Sequence, residues 1–132
     1  MLTPLTQPRS RITLTIALAI IIPLGLASRK FSDQIPAFVA DHAGGFLWTI
    51  AIYLALAFLA PRWSPLKLFL FAFGISVAVE LSQLIDVAWL NALRKTLPGR
   101  LLLGAGFLWI DLLRYFCGAL FAFAVDRWRQ RS

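Results

Sequence analysis

The sequence predicts an all-α fold, an integral membrane four-helix bundle with a short cytoplasmic link and longer outer loops, and three observations carry that expectation. Apolar residues make up 60% of the 132 positions and charged residues only 14%, a balance outside that of soluble domains. The apolar residues gather in four runs. At a rise of about 1.5 Å per residue, each run comes near the length needed to cross a hydrocarbon core of roughly 30 Å. Basic residues and prolines fill the gaps, as orienting flanks and helix breakers do.

Residues 1–132 are one membrane domain by length. The net charge of +7 comes from short basic clusters at the ends of apolar runs, without the extended basic and aromatic patch that nucleic acid requires, so no nucleic-acid partner is expected. Cys117 is the single cysteine and His42 the single histidine. An intrachain disulfide is therefore excluded, metal-ligand spacing is absent, and no cofactor is expected. Cys117 lies inside an apolar run and is expected to pack.

Residues 1–11 read as a short tail with two prolines, Arg9 and Arg11. The first span covers about 12–28, with Pro23 bending its far end. A cleavable secretory signal is the rival reading, since basic residues precede this run and Gly25 and Ala27 suit a cleavage site. Residues 29–43 mix charge with Phe31, Ile35, Phe38 and Val39, and Pro36 interrupts them, which predicts an interfacial loop. A second span covers about 44–60. The PRWSP turn, Pro61 to Pro65, is short enough to make the second and third spans antiparallel neighbours.

The third span covers about 66–86 and the fourth about 106–125, which ends in the basic DRWRQRS tail. Residues 87–105 hold Asn91, Arg94, Lys95, Arg100 and the breakers Pro98, Gly99 and Gly104, too polar and broken for lipid-exposed helix. Gly45-Phe46-Leu47-Trp48 recurs as Gly106-Phe107-Leu108-Trp109. Two helices starting at an interface would produce that pattern, and so would duplication of a helical hairpin.

Orientation follows from the basic flanks. Arg9, Arg11, Arg62, Lys67, Arg127, Arg129 and Arg131 oppose Arg29, Lys30, Arg94, Lys95 and Arg100, and seven against five favours both termini in the cytoplasm of a bacterial inner membrane.

The stretch VELSQLID, Val79 to Asp86, sets Glu80, Gln83 and Asp86 inside an apolar run, and intramembrane acids are functional-site candidates. Phe69, Phe73, Ser76, Glu80, Gln83 and Val87 form one helical stripe on the third span. On the fourth, the stripe is Gly104, Leu108, Asp111, Tyr115, Gly118 and Ala122, where Gly118 and Ala122 permit close helix approach. The second span offers Gly45, Thr49 and Tyr53, with Asp41 and His42 at its entrance.

Packed by these stripes, Glu80, Gln83, Asp111, Tyr115 and His42 converge near the outer third of the membrane, within reach of Arg94 or Arg100. Glu80 and Asp111 are the catalytic candidates, because two acids in differing environments can act as acid and base. Which of them is ionised depends on where the arginines sit. The same groups could hold a lipid headgroup or a cation, or only tie helices together. Ser76 and Ser82 lack a histidine within their spans, and no Gly-rich phosphate loop is present, so enzyme activity stays open rather than assigned. With no acid evident in the inner halves of the spans, a proton relay is disfavoured.

Asp41 and His42, then Tyr53, ELSQL at Glu80 to Leu84, Arg94, and Asp111 followed seven positions later by Gly118 resemble the bacterial VanZ-like membrane proteins. In that pattern an Asn usually lies between the Asp and the Gly; here Tyr115 or Phe116 takes its place. The stretch WLNALRKTLPGRLLLGAGFLWIDLLRYFCG, Trp89 to Gly118, is similar to a small bacterial family known only as a domain of unknown function. The likeness extends over about residues 44–122. It implies a multi-helix inner-membrane protein whose acidic and amide residues lie on the outer side. The resulting expectation is an outward-facing pocket of Glu80, Gln83, Arg94 and Asp111 that binds, and as an open alternative modifies, an anionic lipid or cell-envelope headgroup. A structural or accessory membrane subunit is the other expectation.

Overall fold

The structure is a computed structural model that describes residues 2–82, 92, 95 and 109–130, with the side chains of residues 29, 32, 37–42 and 109–111 outside the description. Among the described residues it is all-helical. Four α-helices follow in chain order: α1 (Arg11–Lys30), α2 (Ala37–Leu59), α3 (Pro65–Ser82) and α4 (Trp109–Gln130), with a short 3-10 turn at Ser32–Gln34.

Local chemistry sets the ends of these helices. Ser10 caps α1, its hydroxyl accepting from the Thr13 amide at 3.3 Å. The helix then runs through Pro23 and closes where the Phe31 amide donates to the Ala27 carbonyl. Pro36 precedes α2 in the N-cap position with an extended ψ. Here the structure corrects the expectation of a loop over 29–43, because α2 begins at Ala37. A proline breaks a helix that arrives from its N-terminal side but is well placed at the entrance of the next one, where its missing amide costs nothing.

At the other end of α2, the Ala60 amide donates to Leu56, and Pro61 prevents continuation. Ser64 then starts α3: its hydroxyl accepts from the Lys67 amide and its carbonyl from the Leu68 amide, with Pro65 in the first helical position. The PRWSP segment is therefore a tight turn, and α2 packs against α3.

Helices α1 and α4 both pack extensively on α2, and α3 packs on α4 more than on α2. The centre is built from small residues. Ala57, Ala72 and Ala119 are fully buried, with Tyr53, Leu68 and Ile50 filling the space between them. At Gly118 a Cβ would fall directly against the Phe46 carbonyl oxygen and 3.2 Å from the Thr49 Cβ, so α2 and α4 approach as closely as their backbones permit. Aromatic rings seal the flank beside this contact: Phe69 meets Phe116 and Phe123 edge-on, and Phe73 also packs edge-on against Phe116.

Two of the helices, over Arg11–Ser28 and Pro65–Ser82, are long and apolar enough to cross a membrane. Only 11% and 22% of those windows are buried, whereas the core helix of a soluble domain would be mostly buried. Ile12, Ile16, Ile20 and Leu24 form an exposed apolar stripe on α1, and Leu70, Phe71 and Ile75 another on α3. Cys117, expected to pack, is exposed on α4; its neighbour Gly118 takes the contact with α2.

The α2–α4 contact gives the first testable outcome. Gly118→Ala should lower stability by about 1–3 kcal/mol, because the new methyl meets backbone that cannot rotate away. Gly74, which has nothing within 4 Å of an added Cβ, is the control: Gly74→Ala should gain roughly 0.5–1 kcal/mol from helix propensity. Denaturant unfolding followed by circular dichroism measures both.

Candidate functional site

Among the described residues, polar side chains tie helices to one another at three levels of the bundle. At the C-terminal end of α3, Glu80 is fully buried, and the Tyr115 hydroxyl of α4 donates to its Oε2 at 2.9 Å. Glu80 follows Leu68, Ala72 and Ser76 at intervals of four, so the buried line of α3 is this row, while Phe69 and Phe73 lie beside it. Tyr115 is held in place by the bare face of Gly45, where an added Cβ would come within 3.3 Å of the phenol ring. The same glycine lies under the Cβ and Cδ of Arg114, which therefore lies half-buried over α2.

One turn further along, Ser76 of α3 faces Thr49 of α2, their hydroxyl oxygens 3.3 Å apart and both fully buried. Each hydroxyl also lies within hydrogen-bond distance of a carbonyl one turn back on its own helix, Ala72 for Ser76 and Gly45 for Thr49. No polar atom of this pair depends on water, and a buried hydroxyl pair of this kind sets the register of two helices.

The third level is built on a salt bridge. Arg9, from the segment before α1, makes a bidentate pair with Asp126 of α4: Nε donates to Oδ1 at 2.8 Å and Nη2 to Oδ2 at 2.6 Å. Its remaining Nη1 donates to the carbonyls of Pro61 and Trp63 in the α2–α3 turn. Tyr53 of α2 donates its hydroxyl to Asp126 Oδ2, and Gln130 donates to Oδ1 from one turn on. The two charged side chains are only 5% and 12% exposed, so this is a buried ion pair whose remaining polar atoms are met by neighbours. Backbone bonds from Leu5 to Arg62 and from Arg9 to Pro61 lay the N-terminal segment along the same turn.

Of the residues singled out in the sequence, the structure brings Glu80 and Tyr115 into direct contact. Gln83, Arg94 and Arg100, and the side chains of Asp111 and His42, lie outside the described residues. The Arg9–Asp126–Tyr53 cluster was missed. Arg9 reads as an orienting flank and Asp126 as the start of a basic tail, and only the buried stripe Thr49, Tyr53 on α2 pointed toward that end. One signal was available: Asp126 is the single acid in DRWRQRS, and it continues the row Ala119, Ala122 of α4 by one further turn. Among the described residues, no group of three or more metal-ligating side chains occurs.

A family model described as "Protein of unknown function (DUF2809)" matches residues 34–119. The VanZ-like likeness rests on the motif residues alone. No solved structure matches the chain.

The buried cluster makes a sharp demand on side-chain geometry. Arg9→Lys should destabilise by about 1.5–3 kcal/mol, because an ammonium cannot serve both carboxylate oxygens and two carbonyls at once. Tyr53→Phe should cost a similar amount by removing a hydrogen bond to a charged acceptor. Both are read from denaturant midpoints, with helical content of the folded state unchanged.

Proposed function

The chain belongs to the DUF2809 family of proteins of unknown function, and from that premise we propose that it is a multi-span inner-membrane protein, both termini cytoplasmic, which binds an anionic lipid-linked or cell-envelope headgroup in an outward-facing pocket. The exposed apolar stripes of α1 and α3 support the membrane reading, since lipid is the solvent in which such surfaces cost nothing. Helix α2 adds an apolar run over Ala43–Leu59. The N-terminal segment, the α2–α3 turn and the end of α4 meet at one end of the bundle, and among the described residues that end carries the larger share of basic ones.

The observation that carries the pocket is Glu80, fully buried, bonded by Tyr115, and three residues before Gln83 at the head of the segment that bears Arg94 and Arg100. In this reading Glu80 and Tyr115 form the floor. The two arginines supply the charge that an anionic headgroup needs, through forked donors suited to phosphate or carboxylate. Gln83 and Asp111 complete the wall.

The second reading, a structural or accessory membrane subunit, is favoured by the same burial: a carboxylate sealed from solvent and bonded to the neighbouring helix can serve purely to fix α3 against α4.

A lipid-binding measurement separates the two. Detergent-purified protein is titrated with a polyprenyl phosphate. Arg94→Gln combined with Arg100→Gln should weaken binding by tenfold or more, the order expected for charge-assisted bonds of about 1.5–3 kcal/mol. Glu80→Gln, which removes a negative charge from the pocket floor, should tighten it while leaving the unfolding midpoint within a few degrees. Binding that none of these substitutions alters would leave Glu80 as a packing residue.

A further inference from the structure

We infer that the crevice between α1 and α4, floored by α2, holds one acyl chain of an anionic phospholipid, with the headgroup taken by Arg129 at its rim. Both α1 and α4 pack on α2 rather than on each other, which leaves a gap of about 320 Å³ between them, within the range of roughly 300–1,000 Å³ typical of ligand pockets. Ala17 and Ile21 of α1, Ile50 and Leu54 of α2, and Phe121 and Val125 of α4 form its apolar walls. Polar residues gather only at one end: Thr13, the Arg9–Asp126 pair, Arg129 and Gln130.

Length and charge identify the occupant. From Thr13 to Ile21 the crevice runs about 12 Å along α1, close to one leaflet of a core roughly 30 Å thick. Within the rim, Arg9 and Asp126 neutralise each other, so its net charge is that of Arg129. Arg127 stands on the same end of α4, its guanidinium over the Phe123 ring. An acyl chain fits the walls, and a negatively charged headgroup complements the rim. A second copy of this chain fits poorly, since it would bring another +7 molecule with the same basic end against it. The inference rests on the membrane reading above, but it concerns the opposite end of the bundle from Glu80 and involves none of the pocket residues proposed there.

Native mass spectrometry of the full chain, released from detergent micelles, tests it with dioleoyl phosphatidylglycerol and dioleoyl phosphatidylcholine as probes. In a chain carrying Arg94→Gln and Arg100→Gln, which silences the headgroup pocket proposed above, phosphatidylglycerol should bind at least about fivefold more tightly, the factor expected for one basic residue near a headgroup. Arg129→Gln, a change at an exposed position, should bring the ratio close to one. Ala17→Trp, which fills the crevice, should abolish the tight phosphatidylglycerol adduct, and Gly74→Ala, whose added Cβ meets nothing within 4 Å, should leave it intact. Equal binding of the two lipids, selectivity that survives Arg129→Gln, or a dimer in place of the lipid adduct overturns the inference. Should Ala17→Trp not fold, the ratio measured for Arg129→Gln decides by itself. A protein that needs detergent yet shows no selectivity defeats only the crevice, whereas one that stays dispersed without detergent defeats the membrane reading beneath it.

Discussion

The buried pair of Arg9 and Asp126 is the interaction on which this end of the molecule depends. Four hydrogen bonds from one guanidinium go to a carboxylate and two turn carbonyls, and the same carboxylate receives the Tyr53 hydroxyl. The N-terminal segment, α2, the α2–α3 turn and α4 are thereby referred to one point. An ion pair in an apolar setting contributes little net stability, because its desolvation offsets most of the attraction. Its contribution is specificity: any arrangement that separates the partners leaves a buried charge unmatched, which excludes alternative registers of α4 against α2.

Away from that pair, packing relies on the absence of side chains. Gly118 lets the Phe46 carbonyl lie against α4, and Gly45 gives Tyr115 room to reach Glu80. In a bundle that lies in lipid, as proposed for this one, hydrophobic burial does not tell helices which faces to join. Small residues and a few polar ties do so instead: Glu80 with Tyr115, Ser76 with Thr49, and Tyr53 with Asp126 mark successive levels along the bundle. The proposed headgroup pocket and the lipid crevice stand at opposite ends of this series, so loss of one need not disturb the other.

Much of the fold was legible in the sequence because apolar runs and prolines are local signals. The four helices, the tight PRWSP turn and the close approach at Gly118 follow from them. The start of α2 did not, since a proline at a helix entrance and one that ends a helix look alike without knowledge of which side is helical. On α3 the buried row is Leu68, Ala72, Ser76 and Glu80, one position away from the aromatic start of the expected stripe. Glu80 and Tyr115 could be paired from spacing on their own helices, but Arg9 and Asp126 lie 117 residues apart, and no periodicity relates them. Charges at the ends of apolar runs carry an orienting reading so readily that a buried pair among them goes unseen.

A double-mutant cycle on Arg9→Gln and Asp126→Asn, followed by denaturant unfolding of the full chain in detergent, tests most directly whether this pair organises the end of the bundle. The account predicts a coupling of at least about 1 kcal/mol, with the double variant more stable than the sum of the single losses allows. Additivity within roughly 0.5 kcal/mol would contradict it and would mean that the N-terminal segment lies on the bundle without holding it together.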